Sequence, residues 1–492
     1  MKFSSIALFA SGAAAFSLEQ ESFSKQEYAS GQVHMAIMEA KHASWDRQRE
    51  SGEMNAAQYP ALDADVVKCV DGLAVVEAGN PNQTFKCNNM DLYDFKSHAD
   101  LGSFTGEGSG SWGWTSPDGR EFGIIGQADG AAFVEITPAG KLVYLGRLPQ
   151  SSVPIIWREI RVWQNYVVIG SEAVGHGIQV FDLSRLLTID PANPVNYSTT
   201  ADVTAFFNET AYLPLGRAHN VHASDSNYIV AVGAQPRNST CAAGMVFIDM
   251  TNPLRPNATG CASADGYTHD VECLVYKGPD TRYVGKDICY ASNEDTLTIW
   301  DVTNKSGFNA SRIISRTPYF GARYTHQSTV IDREWQDFLL IDDELDEENR
   351  VGPAADQFPV TYLLNIENLE KPVNTGIYKS KAFSIDHNQY VYNGLDYQSN
   401  YGAGLRVLDV SSVRADPTGA SIKEVAFFDI YPEDDTLPNG GIIDFVGTWS
   451  HYANFPSGNI LINTIERGAF VVKMSQFPSR GYGRYTRKIR AA

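Results

Sequence analysis

The chain has 492 residues, of which 43% are hydrophobic and 20% charged, the balance of a globular protein rather than a disordered or fibrous one. A formal net charge of −19 argues against nucleic acid or an anionic membrane surface as partner, since both need clustered lysine and arginine. It suits solubility in an acidic extracellular medium.

In chain order, Lys2, the apolar stretch Ile6 to Ala15 and the small residues Ala13, Ala14 and Ala15 predict a secretory signal peptide over residues 1–15. Residues 16–65 are expected to be an N-terminal helix and a linker. Within 18–52 the apolar residues Tyr28, Val33, Ala36, Ile37, Ala40 and Trp45 recur at roughly helical spacing among polar neighbours. Such a helix packs on the rest of the protein or acts as a removable pro-segment. Residues 66–105 carry Cys69 and Cys87 and read as a small cystine-stapled subdomain.

From about residue 106 a pattern recurs seven times. A gate residue opens an apolar stretch, and 22 to 39 residues later an apolar run closes on Asp or a substitute. The gates are Gly113, Arg158, His219, His269, His326, His387 and His451; the closing residues are Glu135, Asp182, Asp249, Asp301, Asn365, Asp409 and Lys473. Gate-to-gate steps of 45, 61, 50, 57, 61 and 64 residues, with several short strand signals in each, are the mark of propeller blades. Length alone would suggest about three domains; blades fuse into one body instead. The expected fold is therefore all-β, a seven-bladed β-propeller over 106–480, with a basic tail over 481–492. The strand completing the last blade comes from 66–105 or from the chain after Met474.

Six cysteines, Cys69, Cys87, Cys241, Cys261, Cys273 and Cys289, fall into three local pairs, although spacing leaves all 15 connectivities open. No Cys-x-x-Cys pair points to zinc. Seven Asn-x-Ser/Thr sequons, at Asn82, Asn196, Asn208, Asn238, Asn257, Asn304 and Asn309, mark surface loops of a glycoprotein if the chain enters the secretory pathway. No later segment has 18 consecutive apolar residues, so no membrane-spanning helix is expected.

The stretches Trp112-Gly113-Trp114-Thr115, Trp157-Arg158-Glu159-Ile160, His176 through Leu183, His269-Asp270-Val271, Asp342 through Glu347 and Cys87 through Leu92 together resemble secreted proteins of the choice-of-anchor B type with LVIVD-like repeats. The resemblance covers most of the chain beyond residue 66. It implies a β-propeller and carries no activity with it. The C-terminal anchor or sorting segment of some members is not found here, so a freely secreted protein is expected.

Propeller topology puts the innermost strand of each blade on the central channel. The gates are thus expected at one mouth, where Arg158, His219, His269, His326, His387, His451 and the neighbouring Trp157 are candidate binding residues. The turns on that face are acidic: Glu172, Glu294, Asp295, Asp342, Asp343, Glu344, Asp346, Glu347 and Glu466. Glu294, Asp342, Asp343, Glu344 and Asp346 are candidate metal ligands. Carboxylates suit an ion such as Ca; added imidazole suits Zn, Cu, Fe or Ni. Against this, a repeated gate His can simply hydrogen-bond the next blade, and residues 342–348 can be a solvated loop. No Gly-x-Ser-x-Gly elbow, phosphate-binding loop or His-Glu-x-x-His motif occurs, so no catalytic residue is assigned. The reading is a secreted glycosylated binding module that engages an extracellular protein, glycan or small ligand at the mouth. The alternative is a metal-assisted extracellular hydrolase or lyase using the same face.

Overall fold

The computed structural model describes residues 25–62 and 65–477; the expected signal peptide and basic tail lie outside them. The described strands form seven sheets. Their innermost strands are Gly108–Thr115, Arg158–Trp163, Asn220–Ala223, Asp270–Val275, Thr325–Val330, Asn388–Tyr392 and Thr448–Tyr452. Each packs on the next, and the last returns to the first, closing the sheets around a channel. The fold is a β-propeller. Six of the sheets have four or five strands; the one built on Asn388–Tyr392 has seven.

The closing runs form the third strand of each sheet, and their side chains fill the space between sheets: Phe133, Val180, Phe247, Ile299, Leu363, Val407 and Val471 are all nearly inaccessible to solvent. In six sheets a β-bulge falls at the same place in this run, between Phe133 and Val134, Phe247 and Ile248, Ile299 and Trp300, Leu363 and Leu364, Val407 and Leu408, and Val471 and Val472. The recurring bulge adds local twist where the sheet turns from the channel to the rim. The terminal acid has turn chemistry. Asp182, Asp249, Asp301 and Asp409 each accept the amide two residues on, at 2.9, 2.7, 3.1 and 3.0 Å.

The segment expected as a separate cystine-stapled subdomain is instead built into two sheets. Thr84–Asn88 pairs with Lys423–Phe428, and Met90–Ser97 pairs along its length with Gly468–Met474. The cause is hydrophobic. Phe85, Met90, Leu92 and Phe95 bury against Val407, Phe428, Phe470 and Val472, and no small unit of 40 residues could cover them alone. The ring is thus closed by an N-terminal strand. The disulfides are Cys69–Cys87, Cys241–Cys261 and Cys273–Cys289, the three local pairs.

Leu92 lies at the closure, opposite Val472 and 1% exposed. Leu92→Ala is expected to lower unfolding stability by about 2–5 kcal/mol, read as a shifted urea midpoint.

Candidate functional site

The N-terminal helix lies across one channel mouth. It comprises α1 (Lys25–Ser30) and α2 (Gln32–Ser51), separated by Gly31 at φ 81°. A Cβ at Gly31 would come within 2.8 Å of the Arg237 guanidinium, so glycine serves both the left-handed turn and the close approach. Arg237 donates two hydrogen bonds to Glu294, at 2.8 and 2.7 Å, and one to the Tyr28 carbonyl. Residues Val33, His34, Ile37, Lys41, Ser44, Trp45 and Gln48 form the buried face of α2, spaced as one helical stripe. Trp45 is fully buried. Its ring centroid is 4.9 Å from Trp157 and 6.1 Å from Trp449, and its Nε1–H donates to the Phe445 carbonyl.

Beneath α2 the gates make a continuous arc. Ring centroids of His219 and His269 are 4.1 Å apart, His269 and His326 4.3 Å, His326 and His387 4.5 Å, and His387 and Trp449 5.0 Å. Two expected gates are displaced from it. His451 sits two residues farther along its strand, where Ser399 Oγ meets its Nδ1 at 2.8 Å and Tyr390 packs on its ring. A bulge between Thr448 and Ser450 makes Trp449 the gate instead. Gly113 lies similarly deep, and a Cβ there would strike Tyr452; the bulge of that sheet spans Gly108 to Ser111. Arg158 turns sideways, donating to the Gln127 carbonyl at 2.9 Å and to His176 Nε2 at 2.8 Å. Trp157 packs on α2, and Trp114 is core.

The acidic stretch is not a solvated loop. Asp342, Asp343, Glu344, Asp346 and Glu347 are all 2% exposed or less. Asp343 is spent on the fold, accepting from Tyr319 Oη–H and the amides of Arg323 and Tyr324; Glu294 is held by Arg237. Asp342 Oδ2, Glu344 Oε2 and Asp386 Oδ1 are buried without a hydrogen bond among the described residues, and the buried carboxyls of Asp346 and Glu347 lie against each other. Burial, then mutual repulsion, pushes the carboxyls of Asp342, Asp346, Glu347 and Asp386 well above the usual carboxylate range. Into this bank α2 inserts Lys41. Its Nζ is 2.6 Å from Glu344 Oε1 and only 3% of the side chain is exposed; it also lies 5.5 and 5.6 Å from the rings of Phe445 and Trp449. The Tyr401 hydroxyl donates to the same Glu344 oxygen at 2.5 Å.

The imidazoles are held by their Nδ1 atoms. That of His269 faces the His326 carbonyl at 2.9 Å, that of His387 the Trp449 carbonyl at 2.7 Å, and that of His326 the Asp342 carboxylate at 3.3 Å. These acceptors assign the proton to Nδ1 and leave Nε2 as the free lone pair. Nε2 of His326 and His387 lies 3.8 and 3.7 Å from Glu344. Burial keeps all three rings well below the ordinary imidazole range, hence neutral. His219 differs, with Nδ1 at 2.5 Å from Glu172. Burial pushes the Glu172 carboxyl up, but the bond and charge of His219 outweigh it and bring it to about 2. His269, His326 and Glu344 each offer one atom within 4.8 Å of the others. Beside α2 a cleft of about 690 Å3, lined by His34, Glu39, His42, Trp157, Glu172 and Arg237 among others, remains open.

Of the residues expected at the mouth, the structure brings His219, His269, His326 and His387 together in one arc, with Glu344 beside His326 and His387. Sequence reasoning missed Lys41, Asp386 and Trp449. A lysine in register with Val33, Ile37 and Trp45, on the apolar stripe of a helix, was the available signal for the first. Away from the mouth, Asp429, Asp434 and Asp435 make a second carboxylate cluster facing Lys86.

No known family model matches the chain, and no curated protein matches it. Among solved structures 700 chains match. One is the crystal structure of the computationally designed Ika8 protein, with a TM-score of 0.41 and 9% identity over 75% of this chain and 96% of that one.

Two outcomes are expected. Trp45→Ala empties the socket between Trp157 and Trp449, so limited proteolysis will cut the chain between Gly52 and Leu62 faster than in wild type. The second concerns Asp434, which burial and then Asp429 and Asp435 push up to about 8. The folded state thus holds a proton that the unfolded state releases, so this contribution is full below the ordinary carboxylate range and is lost as pH rises through about 8. Asp434→Asn will flatten the fall in melting temperature between pH 5 and 8, and an unchanged slope would refute the assignment.

Proposed function

We propose that the protein is a secreted, glycosylated binding module, with each of its seven sheets serving as one blade of a seven-membered ring, and that it binds a cationic group at the channel mouth. The observation carrying this reading is the buried Lys41 ammonium, held 2.6 Å from Glu344 under a helix, with the other Glu344 oxygen left without a hydrogen bond. Uncompensated buried carboxylates are costly. A surface that concentrates them selects positive charge, and the chain supplies one such charge itself. The ligand class that fits is a cation: a metal ion, or an amine carried by an extracellular protein or small molecule. The acidic surface offers nothing to nucleic acid, and no described helix is long and apolar enough to cross a membrane.

Support for the extracellular setting comes from chemistry. All six cysteines are paired in disulfides, which persist in oxidising compartments. The asparagines of all seven sequons are exposed. The resemblance to choice-of-anchor B proteins with LVIVD-like repeats accords with both and stays part of this reading.

The test uses the full chain with a protease site placed between Leu62 and Val67. After cleavage, a labelled peptide of residues 25–51 is expected to exchange into the mouth, and the same peptide carrying Lys41→Met is expected to bind at least about tenfold more weakly, a loss of about 1.4 kcal/mol. Equal binding by both peptides would sink the cation-site reading.

A further inference from the structure

We propose that Lys41 occupies the place of a transition-metal ion, and that the propeller carries an imidazole–carboxylate metal site made by His269, His326 and Glu344, with His387 at its edge. This rests on the mouth being a cation site and names the cation. Three features of the geometry point to a metal rather than to an ammonium alone.

The first is donor disposition. One atom from each of His269, His326 and Glu344 lies within 4.8 Å of the other two. A zinc-sized ion takes nitrogen and oxygen at about 2.0–2.2 Å, so closing these donors on one ion needs side-chain shifts of only about 1 Å. The second is the outer shell. His269 and His387 direct Nδ1 at carbonyl oxygens, and His326 directs its own at the Asp342 carboxylate. Metal-binding histidines are oriented in this way, with the second nitrogen donating to a carbonyl or carboxylate and the first left bare. An ammonium ion needs acceptors, and carboxylates alone would serve it; neutral imidazoles presenting bare Nε2 atoms are the donors a borderline metal selects. The third is the vacant valence of Glu344. Its Oε1 receives Lys41 and the Tyr401 hydroxyl, while Oε2 is buried without a hydrogen bond and faces His326 Nε2 at 3.8 Å.

The donor set discriminates among ions. Two or three imidazoles and one carboxylate suit Zn, Co, Ni, Cu or Fe(II) better than the oxygen-seeking Ca or Mg. The ion named by the sequence, Ca, is therefore replaced at this position by a nitrogen-loving metal. Displacement of α2 is the step that exchanges one cation for the other.

The experiment compares the full-length wild type with Lys41→Met, Lys41→Met/His326→Ala and Lys41→Met/Glu344→Gln, each stripped with chelator and titrated with Zn2+ and Co2+. Lys41→Met is expected to retain one metal per chain after gel filtration, to develop the visible bands of nitrogen-bound Co2+, and to melt higher with Zn2+ than without it. His326→Ala or Glu344→Gln in that background is expected to weaken binding by about 10- to 100-fold or more. The wild type is expected to bind more weakly than Lys41→Met. A Lys41→Met chain that takes up no metal, or one whose uptake is indifferent to His326 and Glu344, overturns the proposal. If Lys41→Met does not fold, the cleaved wild-type chain described above takes its place with the same two deciding outcomes. Rebinding of the 25–51 peptide without metal uptake would refute the metal and leave the cation site standing; metal uptake without Lys41-dependent rebinding would refute the helix as its natural occupant.

Discussion

Ring closure is the constraint from which the rest follows. A sheet with apolar faces on both sides has to meet a neighbour on each, so the sheet built from Thr448–Tyr452 requires an outer strand. Met90–Ser97 provides it, antiparallel to Gly468–Met474. That pairing sets where the N-terminal segment can go. Ser97 lies opposite Gly468, at the turn that carries Glu466 on the mouth side, and the Leu62 amide donates to the Phe95 carbonyl nearby. Tyr59 lies against the Arg467 guanidinium, 4.7 Å from it. The chain preceding the closing strand is thereby delivered to the rim of the mouth, and α2 has only to cross it.

The mouth in turn accounts for the composition of α2. A helix covering an apolar surface would need only the stripe of Val33, Ile37 and Trp45. This one adds His34 and Lys41 on the same stripe because the surface beneath is acidic. Lysine is almost never fully buried unless it is paired. Its burial here is repaid by Glu344 and by the aromatic faces of Phe445 and Trp449, and truncating one member of such a pair typically costs about 3–5 kcal/mol. The His34 imidazole plays a lesser part, meeting the Tyr324 hydroxyl at 2.6 Å while burial lowers it to about 3.

Much of this was legible in the residues, for identifiable reasons. Seven apolar runs ending in Asp or a substitute expose the repeat, since the third strand of each sheet is buried on both faces. The N-terminal origin of the closing strand was one of two open choices, because Met90–Ser97 lies far from the last repeat in sequence whereas the chain after Met474 follows it directly, and only packing selects between them. Gates were read correctly where a histidine stands just before or at the start of the innermost strand, as at His219, His269, His326 and His387. They were misread at His451 and Gly113, where the polar or small residue that resembles a gate lies deeper along its strand; at Thr448–Ser450 the position equivalent to His326, which a bulge also flanks, is taken by Trp449. The stretch 342–347 was open to two readings, metal ligands or a solvated loop, because burying five acids is improbable on composition alone; the tertiary setting buries them all. Asp386 escaped notice since it stands beside a gate and not in an acidic run.

The short connection between α2 and Val67, which bridges to Leu92 of the closing strand, has a thermodynamic consequence. Fewer than twenty residues separate Ser51 from Val67, so α2 faces the mouth at an effective concentration in the millimolar range or above. A ligand of the proposed mouth site would compete against that local excess, and the intact chain would then bind it more weakly than the mouth alone. Proteolysis within that connection would remove the competitor without altering a single contact inside the propeller. On that proposal the tether is a dial on apparent affinity, set by chain length rather than by the chemistry of the pocket.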